Sequence, residues 1–369
     1  MTRSFTPQHR RITALRIAAQ GIDGAGSAAP AAPARSVVGT VQRMLALQAQ
    51  DLAGALWSVG LRSPGSTLAD VEAAIAAREV VRSWPMRGTL HLVPARDLGW
   101  MLSLTADRMV RGTEGRRRDL GISHADIELA RETARSRLGG GRSLSRDAML
   151  AAFDQAGVST SGQRGYHLLS HLGITGTLVF AVPEAKQQSF ALLDEWVPEP
   201  RVLEREQALG EFALRYFTGH GPATVRDFAW WSSLTLADAR LGLAVARDGL
   251  EELVTGDTSY FHSPDAVDAG RGVHALPGFD EYLLGYQDRS APLAGGPLEL
   301  VAPGKNGLFL STIVVDGEVV GTWRRTLGAR GVSVQTHPFR PLGAAGERRL
   351  EAALGRYAAF LGRPLHVDG

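Results

Sequence analysis

The chain of 369 residues contains no cysteine. Disulfides, thiolate zinc sites and a cysteine nucleophile are therefore excluded. Lysine is nearly absent too: Lys186 and Lys305 are the only two, and arginine supplies the other cations. Arginine suits bidentate phosphate contacts, although a GC-rich coding sequence would also favour it. No uninterrupted run of 18 apolar residues occurs, so no transmembrane helix and no membrane partner are expected. Met1-Thr2-Arg3-Ser4-Phe5 lacks an apolar signal core, and with the missing cysteines this predicts a cytoplasmic protein. The common catalytic signatures are missing as well. No histidine pair brackets a glutamate at zincin spacing, so no metal site is expected. Gly304-Lys305-Asn306-Gly307 lacks the upstream glycine and the Ser/Thr of a phosphate loop. Gly139-Gly140-Gly141 does not follow a strand, and Gly-x-Ser-x-Gly is not found. No cofactor is expected.

What is present is a globular composition, 44% hydrophobic and 21% charged, long enough for two or three cores. Residues 8–20 read as a helix, with Ile12, Leu15 and Ala19 at helical spacing. Residues 21–35 are a Gly/Ala/Pro-rich loop. Helices follow at about 36–47, 52–61 and 67–78. Residues 80–94 then read as a β-hairpin around a turn-like Pro85-Met86-Arg87-Gly88. Three helices and a hairpin are the order of a winged helix-turn-helix, with the hairpin as wing. The order recurs. Helices at 97–111, 124–138, 144–156 and 162–173 precede strands at 178–182 and 189–193. Helices at 202–218, 223–232 and 236–246 precede strands at 250–254 and 258–262. The last hundred residues change character. Strand-like runs fall at 273–276, 281–286, 298–302, 308–315, 318–324 and 331–335, with Asp316-Gly317 as a hairpin turn. An amphipathic helix at 347–361 closes the chain. The expectation is an α+β protein: three tandem winged helix-turn-helix motifs over 1–97, 98–200 and 201–268, then an antiparallel β-barrel-like region over 269–369.

One polar interruption stands out. Gln48, Gln50 and Asp51 break the apolar run from Met44 to Trp57. On a helix, residues two apart point about 200° from each other, so the two amides could not share a pocket. Asp51 suits the N-cap of a helix beginning at Leu52. Residues 48–50 would then be extended, and residues i and i+2 would face one side. Both amides also suit the bracing of neighbouring helices through side-chain to backbone bonds. Alternation along the hairpin places Arg87, Thr89 and His91 on one face. Arginines cluster at Arg108, Arg111, Arg116, Arg117 and Arg118, and again at Arg324, Arg325 and Arg330, as phosphate tracks or as solvated faces. Phe228, Trp230 and Trp231 read as core.

Several segments, in order, resemble the AlkZ-like family of bacterial winged-helix DNA glycosylases, which are related to enzymes that unhook interstrand crosslinks. They are Leu47-Gln48-Ala49-Gln50-Asp51 with residues 55–62, residues 82–91, residues 186–196 and residues 221–231. Phe279-Asp280-Glu281-Tyr282-Leu283-Leu284-Gly285-Tyr286 and residues 315–324 complete the set. The resemblance implies three tandem winged helices, a barrel-like C-terminal region and a C-shaped molecule around a DNA channel. It implies a Gln-aliphatic-Gln signature, here Gln48 and Gln50 around Ala49, of the branch tied to self-resistance against crosslinking agents. His91 is a further candidate at the catalytic centre. Candidate DNA contacts are Arg87, Arg111, Arg116, Arg117, Lys305, Asn306, Arg324 and Arg325. The expected partner is double-stranded DNA carrying alkylated or crosslinked purines, bound by a monomer. An amide is neither acid nor base at neutral pH. The expected substrates are therefore cationic N-alkylpurines, whose base leaves neutral. Tandem winged helices would equally suit a non-enzymatic DNA-binding regulator, or a scaffold in which the barrel binds protein.

Overall fold

The computed structural model describes residues 5–22, 36–184, 187–267, 272–304 and 307–368. Most of the loop expected at 21–35 lies outside these residues, as do Lys186, Lys305 and Asn306. Helix α1 (Pro7–Gln20) is capped by the Thr6 hydroxyl and stopped by Gly21 in the left-handed conformation. An order then follows that occurs three times: helix, short strand, two helices, hairpin. The first pass is α2 (Val37–Met44), β1 (Leu47–Gln48), α3 (Leu52–Arg62), α4 (Leu68–Ala76), β2 (Val80–Met86) and β3 (Thr89–Pro94). Helices α5 (Leu98–Gly112) and α6 (Glu114–Asp119) lead to the second: α7 (His124–Leu138), β4 (Leu144–Ser145), α8 (Arg146–Gln155), α9 (Arg164–Ile174), β5 (Leu178–Glu184) and β6 (Gln187–Leu192). After α10 (Leu193–Trp196) the third comprises α11 (Arg205–His220), α12 (Val225–Ser232), α13 (Leu236–Ala246), β7 (Glu251–Thr255) and β8 (Thr258–His262). Here a single bridge, Ala223 to Phe261, takes the place of the short strand.

The first two hairpins are not separate wings. They join in one six-stranded sheet of order β1-β3-β2-β5-β6-β4. The reason is burial: every residue of β2 is buried, so its outer edge requires a partner. Arg82 of β2 pairs with Phe180 of β5. Trp84 lies against Phe180, and a Cβ on Gly173 of α9 would come within 2.4 Å of the Trp84 ring. The first turn is also displaced from its expected position. Pro85 and Met86 belong to β2, and the turn is Arg87-Gly88, with φ of 56° and 64°. Two successive positive φ values match the right-handed twist of a two-residue hairpin.

The C-terminal part is β9 (Val273–Leu276), α14 (Glu281–Leu284), β10 (Ser311–Val315), β11 (Glu318–Gly328), β12 (Gly331–Pro338), α15 (Gly343–Phe360) and β13 (Leu365–Asp368). Its strands form an open half-barrel of order β13-β12-β11-β10-β9, with β12 and β13 parallel. An all-antiparallel barrel was the expectation, and β13 was not foreseen. Two of the expected strands are absent. Residues 281–284 are helical because the Asp280 carboxylate caps the Tyr282 N–H, and residues 298–300 form a 3₁₀ turn. No helix among the described residues is long and apolar enough to cross a membrane.

The hydrophobic interior falls into two clusters. One gathers Leu45, Ala46 and Trp84 with the second and third passes. The other gathers Met44, Leu47, Ala49 and Trp57 with the half-barrel and α15. Residues 44–49 therefore run along the seam between them.

Candidate active site

Helix α2 ends where Leu45 takes a positive φ of 61°. That turn redirects the chain into β1, where Leu47 faces Leu92 and Gln48 faces His91. The Ala49 N–H continues the ladder to Leu90 O at 2.7 Å. The segment is extended, as the geometric argument requires. Asp51 occupies the N-cap position of α3, but its carboxylate caps nothing and instead pairs with Arg325 at 3.0 Å.

Ala49 is fully buried, Gln48 half-buried and Gln50 exposed. The two amides have different surroundings. Gln50 Oε1 accepts from the Leu90 N–H at 3.1 Å, which extends the edge of β3. Gln48 Oε1 is buried and has no hydrogen-bond partner among the described residues. A buried amide oxygen without a donor costs about 1–3 kcal/mol, and such an orphan marks a place where a small polar molecule belongs.

His91 is completely buried beneath this segment. Its Nε2 lies 2.9 Å from Arg87 Nη2 and its Nδ1 3.0 Å from Thr89 O. Arginine only donates, so Nε2 accepts and Nδ1 carries the proton. Burial, reinforced by the Arg87 charge, pulls the ring down to about 3, and it is neutral at physiological pH. Arg87 turns inward from the hairpin tip. It donates to Leu284 O at 3.2 Å and lies over the Trp230 ring at 5.1 Å. Both ring nitrogens of His91 are engaged, whereas Arg87 Nε is buried without a hydrogen-bond partner among the described residues.

The other candidate cations divide. Arg111, Arg116 and Arg324 are exposed, with Arg116 touching Gln163. Arg117 is buried and holds Thr113 and Val110 O, stitching α6 to α5. Arg325 is half-buried on Asp51. Phe228 and Trp231 are fully buried, while Trp230 is half-buried, with Arg87 and Arg289 over its ring.

Sequence reasoning missed the buried carboxylate below the segment. Glu281, on the short helix α14, has no exposure. Its Oε1 accepts from the Gln48 N–H at 3.0 Å and its Oε2 from Trp231 Nε1 at 2.8 Å. His220 Nε2 lies 3.4 Å from Oε2. Burial pushes this carboxyl up, but the His220 contact and the Arg87 charge outweigh it and hold the group at about 2. Arg82, likewise missed, donates from Nε and Nη2 to Ala49 O at 3.1 and 2.7 Å. The available signal was an Asp-Glu pair directly before the apolar Tyr282-Leu283-Leu284, since such acids are rarely buried without partners.

The segment thus places two amides on an extended connection, with a neutral imidazole and a carboxylate buried behind them. The chain belongs to the AlkZ-like DNA glycosylase family, whose model, described as DNA glycosylase AlkZ-like, matches residues 41–360. It is 27% identical, over 304 residues, to an interstrand DNA cross-link repair glycosylase of Streptomyces sahachiroi; the match spans 77% of this chain and 80% of that protein. Its fold is similar to the solved structure of Streptomyces sahachiroi DNA glycosylase AlkZ, with a TM-score of 0.78 at 23% identity over 97% of this chain and 99% of the other. Membership answers the choice between enzyme and regulator: the family consists of DNA glycosylases, hydrolases of N-glycosyl bonds.

Proposed function

We propose that this chain is a monofunctional DNA glycosylase that releases cationic N-alkylpurines, N7-alkylguanine above all, and unhooks interstrand crosslinks built on them. In this proposal it works as a monomer, and its three passes of three helices and a hairpin are winged helices that line a DNA channel. The observation that carries the reading is the orphaned Gln48 Oε1 beside Gln50 on one extended segment. The amide oxygen of Gln48 accepts a hydrogen bond from the attacking water. Gln50, anchored through its own oxygen, turns its NH₂ toward the sugar or the water. Neither group removes a proton before the bond breaks. The reaction is therefore dissociative: the positively charged base leaves neutral with the bonding electron pair, the sugar takes on oxocarbenium character, and water adds to that carbon, becomes acidic as the C–O bond forms and loses its proton to bulk water. The site supplies position and dipoles. Exposed Arg111, Arg116 and Arg324 contact phosphates. The name of the Streptomyces relative supports the crosslink substrate.

The test is mass-spectrometric detection of free base from duplexes carrying 7-methylguanine, an N7 crosslink or uracil. Excision of the first two but not of uracil is expected, because a neutral base needs protonation on departure. Gln48→Ala and Gln50→Ala should each lose excision while retaining duplex binding. Full activity in the double variant, or robust uracil release, refutes the assignment.

A further inference from the structure

Two charged side chains grip the Leu47–Gln48 and Ala49–Gln50 peptides, and the chemistry above uses neither. Glu281 takes the Gln48 N–H, and Arg82 takes the Ala49 C=O with two donors. Arg82 is 8% exposed and Glu281 not at all. The bond from Ala49 to β3 is made by its N–H, to Leu90 O, and the Leu90 N–H is taken by Gln50 Oε1, so the ladder makes neither of the two charged contacts. Bonds with an ionised partner are shorter and stronger than neutral ones, so they restrict the orientation of a peptide more tightly. The chemical identity of Glu281 matters further. Its two oxygens accept from two donors, the Gln48 N–H and the Trp231 indole N–H. A carboxylate can do this, whereas an amide of the same shape leaves one donor facing an NH₂.

We propose that Glu281 and Arg82 are positioning residues: they lock the Gln48-Ala49-Gln50 backbone so that both amides address one water and one sugar. This rests on the assignment of Gln48 and Gln50 to the chemistry. Glu281 reaches the site through the Gln48 peptide and ties it to α12 through Trp231. Arg82 ties the Ala49–Gln50 peptide to the strand through which the first two hairpins join.

The experiment is single-turnover release of 7-methylguanine from a duplex, with duplex Kd and Tm measured on the same full-length variants. Glu281→Gln should slow release about 10–100-fold, the scale of an ångström of misplacement, with Kd unchanged. Adding Trp231→Phe should recover part of the rate, because the amide oxygen is then free to turn to the Gln48 N–H. Such rescue would follow neither from loss of charge nor from general destabilisation. A wild-type rate in Glu281→Gln, a matching loss of duplex affinity, or no recovery in the double variant overturns the proposal. If Glu281→Gln does not fold, Arg82→Lys decides. It keeps the charge but replaces the two-pronged contact, and it should slow release at unchanged Kd; a wild-type rate overturns the proposal. Should Gln48→Ala and Gln50→Ala both excise at full rate, the underlying assignment fails. Should they lose excision while Glu281→Gln and Arg82→Lys keep it, the positioning role alone fails.

Discussion

Asp280→Ala tests how the site is anchored to the rest of the molecule. Asp280 and Arg62 form a bidentate pair at 2.9 and 2.7 Å, with side chains 2% and 0% exposed. Asp280 also accepts from Ser58 Oγ at 2.7 Å and from the Tyr282 N–H at 2.9 Å. Arg62 continues to Gln20 Oε1 at 2.6 Å. One carboxylate thereby links α1, α3 and α14, the helix that carries Glu281. Its removal strands a guanidinium in the interior. Breaking a buried pair on one side costs about 3–5 kcal/mol. Unfolding entropy of about 2.1 cal/mol/K per residue gives roughly 0.8 kcal/mol/K for 369 residues unfolding together. The midpoint should therefore fall by roughly 4–6 °C in scanning calorimetry. Asp280→Leu combined with Arg62→Met removes both charges and should recover at least half of that loss. A fall below about 2 °C in Asp280→Ala, or a double variant no more stable than the single, would refute the reasoning.

Other consequences are open to direct measurement. His91 is pulled down to about 3 and Glu281 to about 2, so neither changes form near neutrality; single-turnover excision should be flat from pH 6 to 9, and a limb near 6.5 would contradict a site without proton transfer. Stability should behave differently. Burial depresses His91 to about 3 and His171 and His274 to about 4, so the unfolded chain binds protons that the folded chain refuses. Their contribution is complete above about pH 6.5 and is lost on acidification toward those values, by up to about 1.4 kcal/mol per pH unit for each histidine; a melting midpoint unchanged between pH 7 and 5 would exclude this. Arg87→Ala should lower the midpoint, because it removes the partner of His91, whereas Arg111→Ala, Arg116→Ala and Arg324→Ala should leave it in place. Each of those three should instead reduce the salt dependence of duplex binding by about one in log–log slope, and unchanged slopes would remove them from the interface.

Local chemistry carried much of the architecture into the sequence. Helical spacing, the Thr67 cap and the Asp316-Gly317 turn locate elements that the structure contains. The joining of the first two hairpins was not legible, since a buried strand reads the same whichever strand lies beside it. Nor was α14: Glu281-Tyr282-Leu283-Leu284 is apolar enough for a strand, and only the Asp280 cap decides for helix. The candidate site was half legible. Polar residues interrupting an apolar run exposed Gln48 and Gln50, and helix geometry required the bend between α2 and α3. The surroundings of Arg87 were not legible, because only tertiary packing reveals Leu284 O, Trp230 and His91 around it. Glu281 stayed hidden because its partner is a main-chain N–H 233 residues away, and backbone groups leave no mark in a sequence.

These placements follow one logic. Amides are poor catalysts unless they are held, since a free glutamine rotamer would average away its dipole. Holding them with charged residues on the reacting face would introduce groups that titrate and compete with a cationic base. Here the charges lie behind the face. Glu281 grips the Leu47–Gln48 peptide and Arg82 the Ala49–Gln50 peptide, while burial, reinforced by the Arg87 charge, keeps His91 neutral. At the hairpin tip Arg87 holds His91, the β3 residue opposite Gln48 in β1. On the proposed assignment of Gln48 and Gln50, the substrate meets oriented dipoles, so the positive charge that weakens the glycosidic bond has to arrive on the damaged base itself.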